Sequence, residues 1–170
     1  MQFINETTNI LKAPSRFFAS KQEERKMDAV FALVYSVLAG ILVWLLHFSR
    51  MDISQGLLNI LAVAATGMMV WLAGSVLLFL LAWLLQKKHS LARMMSLASP
   101  LMVFFPFSIL LGNIFRMHAL FARGLNLLLS LYFLWVLYHL LVSGISLENK
   151  KARLVIAALG IFLVLQLILL

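Results

Sequence analysis

Few side chains in this 170-residue sequence could move protons or hold a metal. The carboxylates are Glu6, Glu23, Glu24, Asp28, Asp52 and Glu148. Asp28 stands at the edge of a long apolar run, and the others lie in polar segments. None is paired within an apolar run, as general acid–base work there would need. His139 is the titratable group set deepest in such a run. A metal site or switch at His139 would need partners. Its neighbours at helical spacing are Trp135, Val136, Val142 and Ser143, which form no ligand set. The sequence therefore treats His139 as a histidine hydrogen-bonded between helices. His47, His89 and His118 fall near the ends of apolar runs, where a hydrated imidazole needs no special role. The absence of cysteine removes disulfides, thiolate metal sites and cysteine nucleophiles. No glycine-rich phosphate loop or nucleophile–base pair is present. The sequence implies neither an enzyme nor a cofactor.

The elements that carry these residues are set by composition. Hydrophobic residues make up 64% of the chain and charged residues 12%. A soluble domain carries roughly twice that charged fraction. The apolar residues fall into runs long enough to cross a hydrocarbon core of about 30 Å. These runs do not alternate apolar and polar residues, which excludes a membrane barrel. The expected fold is all-α: a polytopic bundle of five membrane spans. They lie at 29–48, within 57–85, at 94–115, at about 125–145 and at 154–170. The second run is longer than the bilayer needs, so it must tilt or project. The chain divides into an N-terminal segment, 1–28, and a transmembrane domain, 29–170.

Lysine and arginine set the orientation. With the N-terminus inside, the inner segments hold Lys12, Arg16, Lys21, Arg25, Lys26, Lys87, Lys88, Arg93, Lys150, Lys151 and Arg153. The outer loops hold only Arg50, Arg116 and Arg123, as the positive-inside rule prefers. A rival topology folds the third run into a re-entrant hairpin at Pro100 and Pro106, the candidate helix break. It moves Arg116 and Arg123 inside and the 150–153 cluster outside. Charge barely separates the two, but the length of the third run favours five spans. The net charge of +8 would suggest nucleic acid in a soluble protein. In a membrane protein it reports orientation and anionic headgroups instead. Nucleic acid is not an expected partner.

Polar and small residues inside the spans point to packing. Asn59, Asn113, Asn126 and His139 are candidate interhelical contacts. The asparagines could instead line an outward vestibule. Ala32, Ser36 and Gly40 recur every four residues, Ser108 and Gly112 do the same, and Gly67 and Gly74 share a face. Such stripes let helix backbones approach closely. Packing within one chain and self-association are both open readings. No lysine or arginine lies deep in a span, where carriers and channels place charge.

The N-terminal segment has its own pattern. Phe3, Ile4, Ile10, Leu11, Phe17 and Phe18, with Thr7 and Pro14 filling the same stripe, recur at spacings of three, four and seven, while Asn5, Glu6, Asn9, Lys12 and Arg16 take the other side. This is the pattern of a helix lying in the membrane interface. Pro14 is expected to end one short helix and start another. The candidate membrane-surface contacts are Lys12, Pro14, Arg16, Phe17, Phe18 and Lys21. The competing reading packs the segment over its own bundle, and the two are compatible.

The order of "IL..P..FF", a charged spacer, five apolar runs and a proline-bearing third run resembles the YIP family of Ypt/Rab GTPase-interacting proteins. So does the closing "LYFLWVLYHLLVSGISLENKKARLVIAAL", with its Ser-Gly-Ile, short basic loop and final span. The resemblance implies a five-span bundle with a cytoplasmic N-terminus and an opposite C-terminus. Its eukaryotic members are tied to vesicle trafficking. This chain lacks their long acidic or proline-rich tail and is more like the compact bacterial members, so binding of a Rab-type GTPase is not carried over. The expected protein is a non-enzymatic scaffold of a bacterial inner membrane. It would organise lipids, anionic ones among them, or other membrane proteins, and could self-associate. The alternative is a small transporter, channel subunit or lipid-moving protein hinged at the third span. A wet mid-depth cavity would favour transport, and a solid apolar bundle would favour scaffolding.

Overall fold

The computed structural model describes residues 2–20, 28–47, 52–114 and 119–169. Its elements in chain order are α1 (Gln2–Lys12), α2 (Pro14–Ser20), α3 (Asp28–Leu46), α4 (Ile53–Leu84), α5 (Leu91–Ala98), α6 (Phe104–Ile114), α7 (Ala119–His139) and α8 (Asn149–Leu169). A 3-10 turn, Ser99–Val103, joins α5 to α6, and a π turn, Leu140–Gly144, extends α7. No strand occurs among the described residues.

Among the described residues, four segments are long and apolar enough to cross a membrane: 28–46, 53–84, 91–111 and 124–144. The fifth expected run corresponds to α8, which is not one of these four. α4 has 32 residues, about 48 Å at 1.5 Å per residue, and so exceeds a 30 Å core.

α3 and α4 form the tightest pair, and they run antiparallel. A Cβ on Gly40 would come within 2.9 Å of the Ile60 backbone, and one on Gly56 within 2.2 Å of the Trp44 indole nitrogen. Gly67 faces Ser36 in the same way. Ala32, Ser36 and Gly40 are all buried, and Ser36 and Gly40 meet α4 directly. The small-residue stripe of α3 is therefore occupied within the chain. Gly74 has open space around its Cβ position, Ser108 is exposed, and the side-chain level of Gly112 lies outside the described residues. In lipid, close van der Waals approach of this kind holds helices together without a hydrophobic driving force. Ser36 and Ser75 satisfy their hydroxyls on the carbonyls of Ala32 and Trp71, one turn back, so neither leaves a bare polar group in the seam.

The third crossing segment changes helix type at its prolines. Pro100 lies in the 3-10 turn and Pro106 in the first turn of α6. Each lacks the N–H that a continuous α-helix would use. Both are buried. The surrounding core is apolar: Met94, Leu97, Met102, Val103 and Phe104 pack with Val136, Leu137, Leu140 and Leu141.

Candidate site at the basic end of the bundle

One end of the bundle gathers the α4–α5 loop, the π turn and the start of α8. Two hydrogen bonds tie them together. Arg93 Nη2 donates to the Gly144 carbonyl at 3.2 Å, and His89 Nε2 meets the Ile145 carbonyl at 3.1 Å. These carbonyls terminate a helix and would otherwise lack partners. The Arg93 guanidinium also offsets the negative pole there. Leu97 explains the glycine: a Cβ on Gly144 would meet its side chain at 3.0 Å.

Two left-handed residues shape this end. Gln86 (φ 58°) follows the last turn of α4, where Gln86 N–H donates to Trp83 and Lys87 N–H to Ala82. That is the Schellman arrangement. Ser146 (φ 56°) follows the π turn, whose width is seen in the bonds from Ile145 N–H to Leu140 and from Leu147 N–H to Leu141.

The N-terminal helices dock on the same part of the molecule. α1 and α2 break at Ala13, with Pro14 as the first residue of α2. α2 packs on the π turn and α7. Phe18 is 1% exposed and Ile10 3%, both within the bundle core. Pro14 is buried and Phe17 half-buried, with the Phe17 and Phe18 rings edge to face at 5.4 Å. Burial of Phe18 and Ile10 contributes roughly 1.5–3 kcal/mol each. Two tyrosines fasten α1: Tyr35 of α3 shares a hydrogen bond with Thr7, and Tyr132 of α7 donates to the Leu11 carbonyl. Lys12 and Arg16 remain exposed. Phe18 and Pro14 thus face protein, while the two basic residues face outward. Lys21 lies outside the described residues.

Residues 8–170 match the family model of the Yip1 domain. The chain belongs to the Yip1 family. No curated protein and no solved structure gives a significant match. The Yip1 domain covers all the membrane-crossing segments, the docked α2 and the C-terminal part of α1 from Thr8 to Lys12. The protein is therefore a multi-pass integral membrane protein of the YIP family.

The remaining singled-out residues of the Yip1 domain are dispersed. His139 sits edge-on to Trp135, with ring centres 5.0 Å apart, and to Tyr138 at 5.4 Å. Asn59 is half-buried, and its Nδ2 has no hydrogen-bond partner among the described residues. Asn126 is exposed, and the Asn113 side chain lies outside the described residues. No cluster of metal-ligating residues occurs among the described residues. The Arg93–Gly144 and His89–Ile145 clasp was not legible in the sequence, where Arg93 read only as an inner-loop charge and His89 as a hydrated imidazole near a span end.

Proposed function

We propose that this Yip1-domain protein is a non-enzymatic organiser of membrane lipids and neighbouring membrane proteins in a bacterial inner membrane. In this reading the chain crosses five times, with α8 as the last span. The basic end and the N-terminus lie in the cytoplasm and the C-terminus outside. Lys12, Arg16 and Lys21 meet anionic headgroups of the inner leaflet. Partners are lipids and other integral proteins, further copies of the chain included.

One observation carries the reading: the N-terminal helices are held on the basic end with their apolar residues inward and Lys12 and Arg16 outward. Such a rigid basic surface beside the crossing helices suits an anionic leaflet, where each basic residue contributes about 1 kcal/mol. The apolar packing around Met102 and Leu140 supports a scaffold over a conduit. The Yip1 domain is not known for enzymatic activity.

The test is extraction of the full chain with its surrounding lipid by a polymer, followed by lipid analysis and identification of co-purifying proteins. Anionic phospholipid should be enriched over the bulk membrane, and Lys12→Gln with Arg16→Gln should reduce that enrichment. Bulk lipid composition around the wild-type protein would count against the proposal.

A further inference from the structure

We propose that the cleft between the end of α4 and the α4–α5 loop is a binding site for the headgroup and first acyl segment of one anionic phospholipid. This inference rests on the lipid-organising reading above and adds a specific seat for one lipid.

The cleft has a volume of about 650 Å³ and is lined by Phe79, Trp83, Gln86, Lys87, Lys88, His89 and Ser90. Its chemistry is divided. Phe79 and Trp83 lie one turn apart on α4 and form an apolar wall. Trp83 is 66% exposed. Lys87 and Lys88 form the polar side, and among the described residues no carboxylate lies within ion-pair distance of either. The order along the chain is therefore lipid-facing helix, aromatic wall, cationic loop. A tryptophan at the end of a crossing helix marks the boundary between hydrocarbon and headgroups. A phosphate at the lysines would leave its acyl chain running along Trp83 and Phe79.

The loop is already built to hold this shape. Gln86 takes the left-handed conformation that turns the chain off α4. His89 is fixed by the Ile145 carbonyl, and the Ser90 hydroxyl accepts from the Arg93 N–H. The two lysines are thus presented from an ordered turn, so little ordering is left for a ligand to impose. A second cleft of about 500 Å³, lined by Asn149, Lys150, Arg153, Leu154 and Ala157, repeats the pairing of two cations with an apolar wall. It lies at the start of α8, which follows the Ile145 turn in the chain.

Trp83 supplies the test. Trp44, Trp71 and Trp135 are replaced by phenylalanine, leaving Trp83 as the sole emitter. The protein is reconstituted in nanodiscs containing brominated phosphatidylglycerol or, at equal mole fraction, brominated phosphatidylcholine. The anionic lipid should quench Trp83 with an apparent preference of about threefold or more, since each cation near a charged headgroup adds to affinity. Lys87→Gln with Lys88→Gln should erase the preference and leave quenching by the neutral lipid unchanged. Arg116→Gln with Arg123→Gln, which removes the same charge elsewhere, should preserve it. Equal quenching by both lipids in the unsubstituted loop would overturn the site. If the extracted protein is still enriched in anionic lipid in that case, the general reading survives. Reversal of the preference by millimolar inorganic phosphate would assign the cleft to a soluble phosphate and overturn the lipid assignment. Substitution of Trp71, which donates to the Met95 carbonyl, could unfold the protein. A variant keeping Trp71, with its 5% exposure, and lacking only Trp44 and Trp135 then carries the same readout.

Discussion

Tyr132 donates its hydroxyl proton to the backbone carbonyl of Leu11, 121 positions earlier in the chain. This bond and the Tyr35–Thr7 contact hold α1 to two different membrane helices. The N-terminal segment is thereby part of the bundle and not a loose tail. Tyr132→Phe should cost about 1 kcal/mol by leaving a part-buried carbonyl unpaired. In the double variant with Tyr35→Phe, trypsin should cut after Lys12 and Arg16 faster than in the wild type. Unchanged cleavage would mean that packing of Phe18 and Ile10 alone holds the segment.

The α3–α4 seam predicts opposite outcomes for two glycines on neighbouring helices. Gly40→Ala places a methyl against the Ile60 backbone, which cannot rotate away, and should cost about 1–3 kcal/mol. Gly74→Ala meets no atom within 4 Å. It should stabilise α4 by up to about 1 kcal/mol through helix propensity. Thermal unfolding in detergent separates the two.

The clasp at the basic end predicts a geometric preference for arginine. Arg93→Lys keeps the charge but loses the planar fork that reaches the Gly144 carbonyl. It should lower the melting temperature nearly as much as Arg93→Met. Ser146→Gly should raise it, because a left-handed backbone costs a non-glycine residue about 1–2 kcal/mol. If Arg93→Lys equals wild type, charge near the helix terminus suffices and the fork is not required.

Much of this fold was legible because apolar run length and proline position act locally. Four crossing segments follow from hydropathy, and Pro14 begins α2 because the first turn of a helix does not need its N–H. The stripe of Ala32, Ser36 and Gly40 identified a packing face, since small residues matter only where backbones meet. Its partners could not be read in the same way. Gly67 is pressed by Ser36 while Gly74, on the same face of α4, stands open. Only the crossing of two helices decides that. The bonds from Tyr132, Arg93 and Trp71 join side chains to carbonyls far away in sequence, and no periodicity encodes them. Gly144 in the Ser-Gly-Ile stretch was the one local sign of the clasp. Its missing side chain admits Leu97 beside the carbonyl that Arg93 binds.

Acid should weaken the N-terminus of α4. Asp52 caps it: its carboxylate accepts from the Gln55 N–H and then from the Ser54 hydroxyl, and these bonds lower its pKa below the ordinary carboxylate value. A folded-state pKa below the unfolded one gives stability that is fully present above the unfolded value. That stability is lost as pH falls through the folded pKa. Wild type should lose helix stability in this acid window. Asp52→Asn, which caps without titrating, should show no such loss from this site. The check is melting temperature against pH for the two proteins.

Accessibility of residue 149 is the most direct measure of how the molecule sits in its membrane. The chain contains no cysteine, so Asn149→Cys provides a single label site without background. Asn149 is exposed and opens α8, four residues beyond the Ile145 carbonyl held by His89. In intact cells a membrane-impermeant thiol reagent should leave it unmodified, and after permeabilisation it should react fully. A cysteine at Ala119 should react from outside in intact cells. Labelling of residue 149 from outside, with residue 119 protected, would place the basic end on the wrong face and contradict a cytoplasmic, anionic-leaflet seat for it.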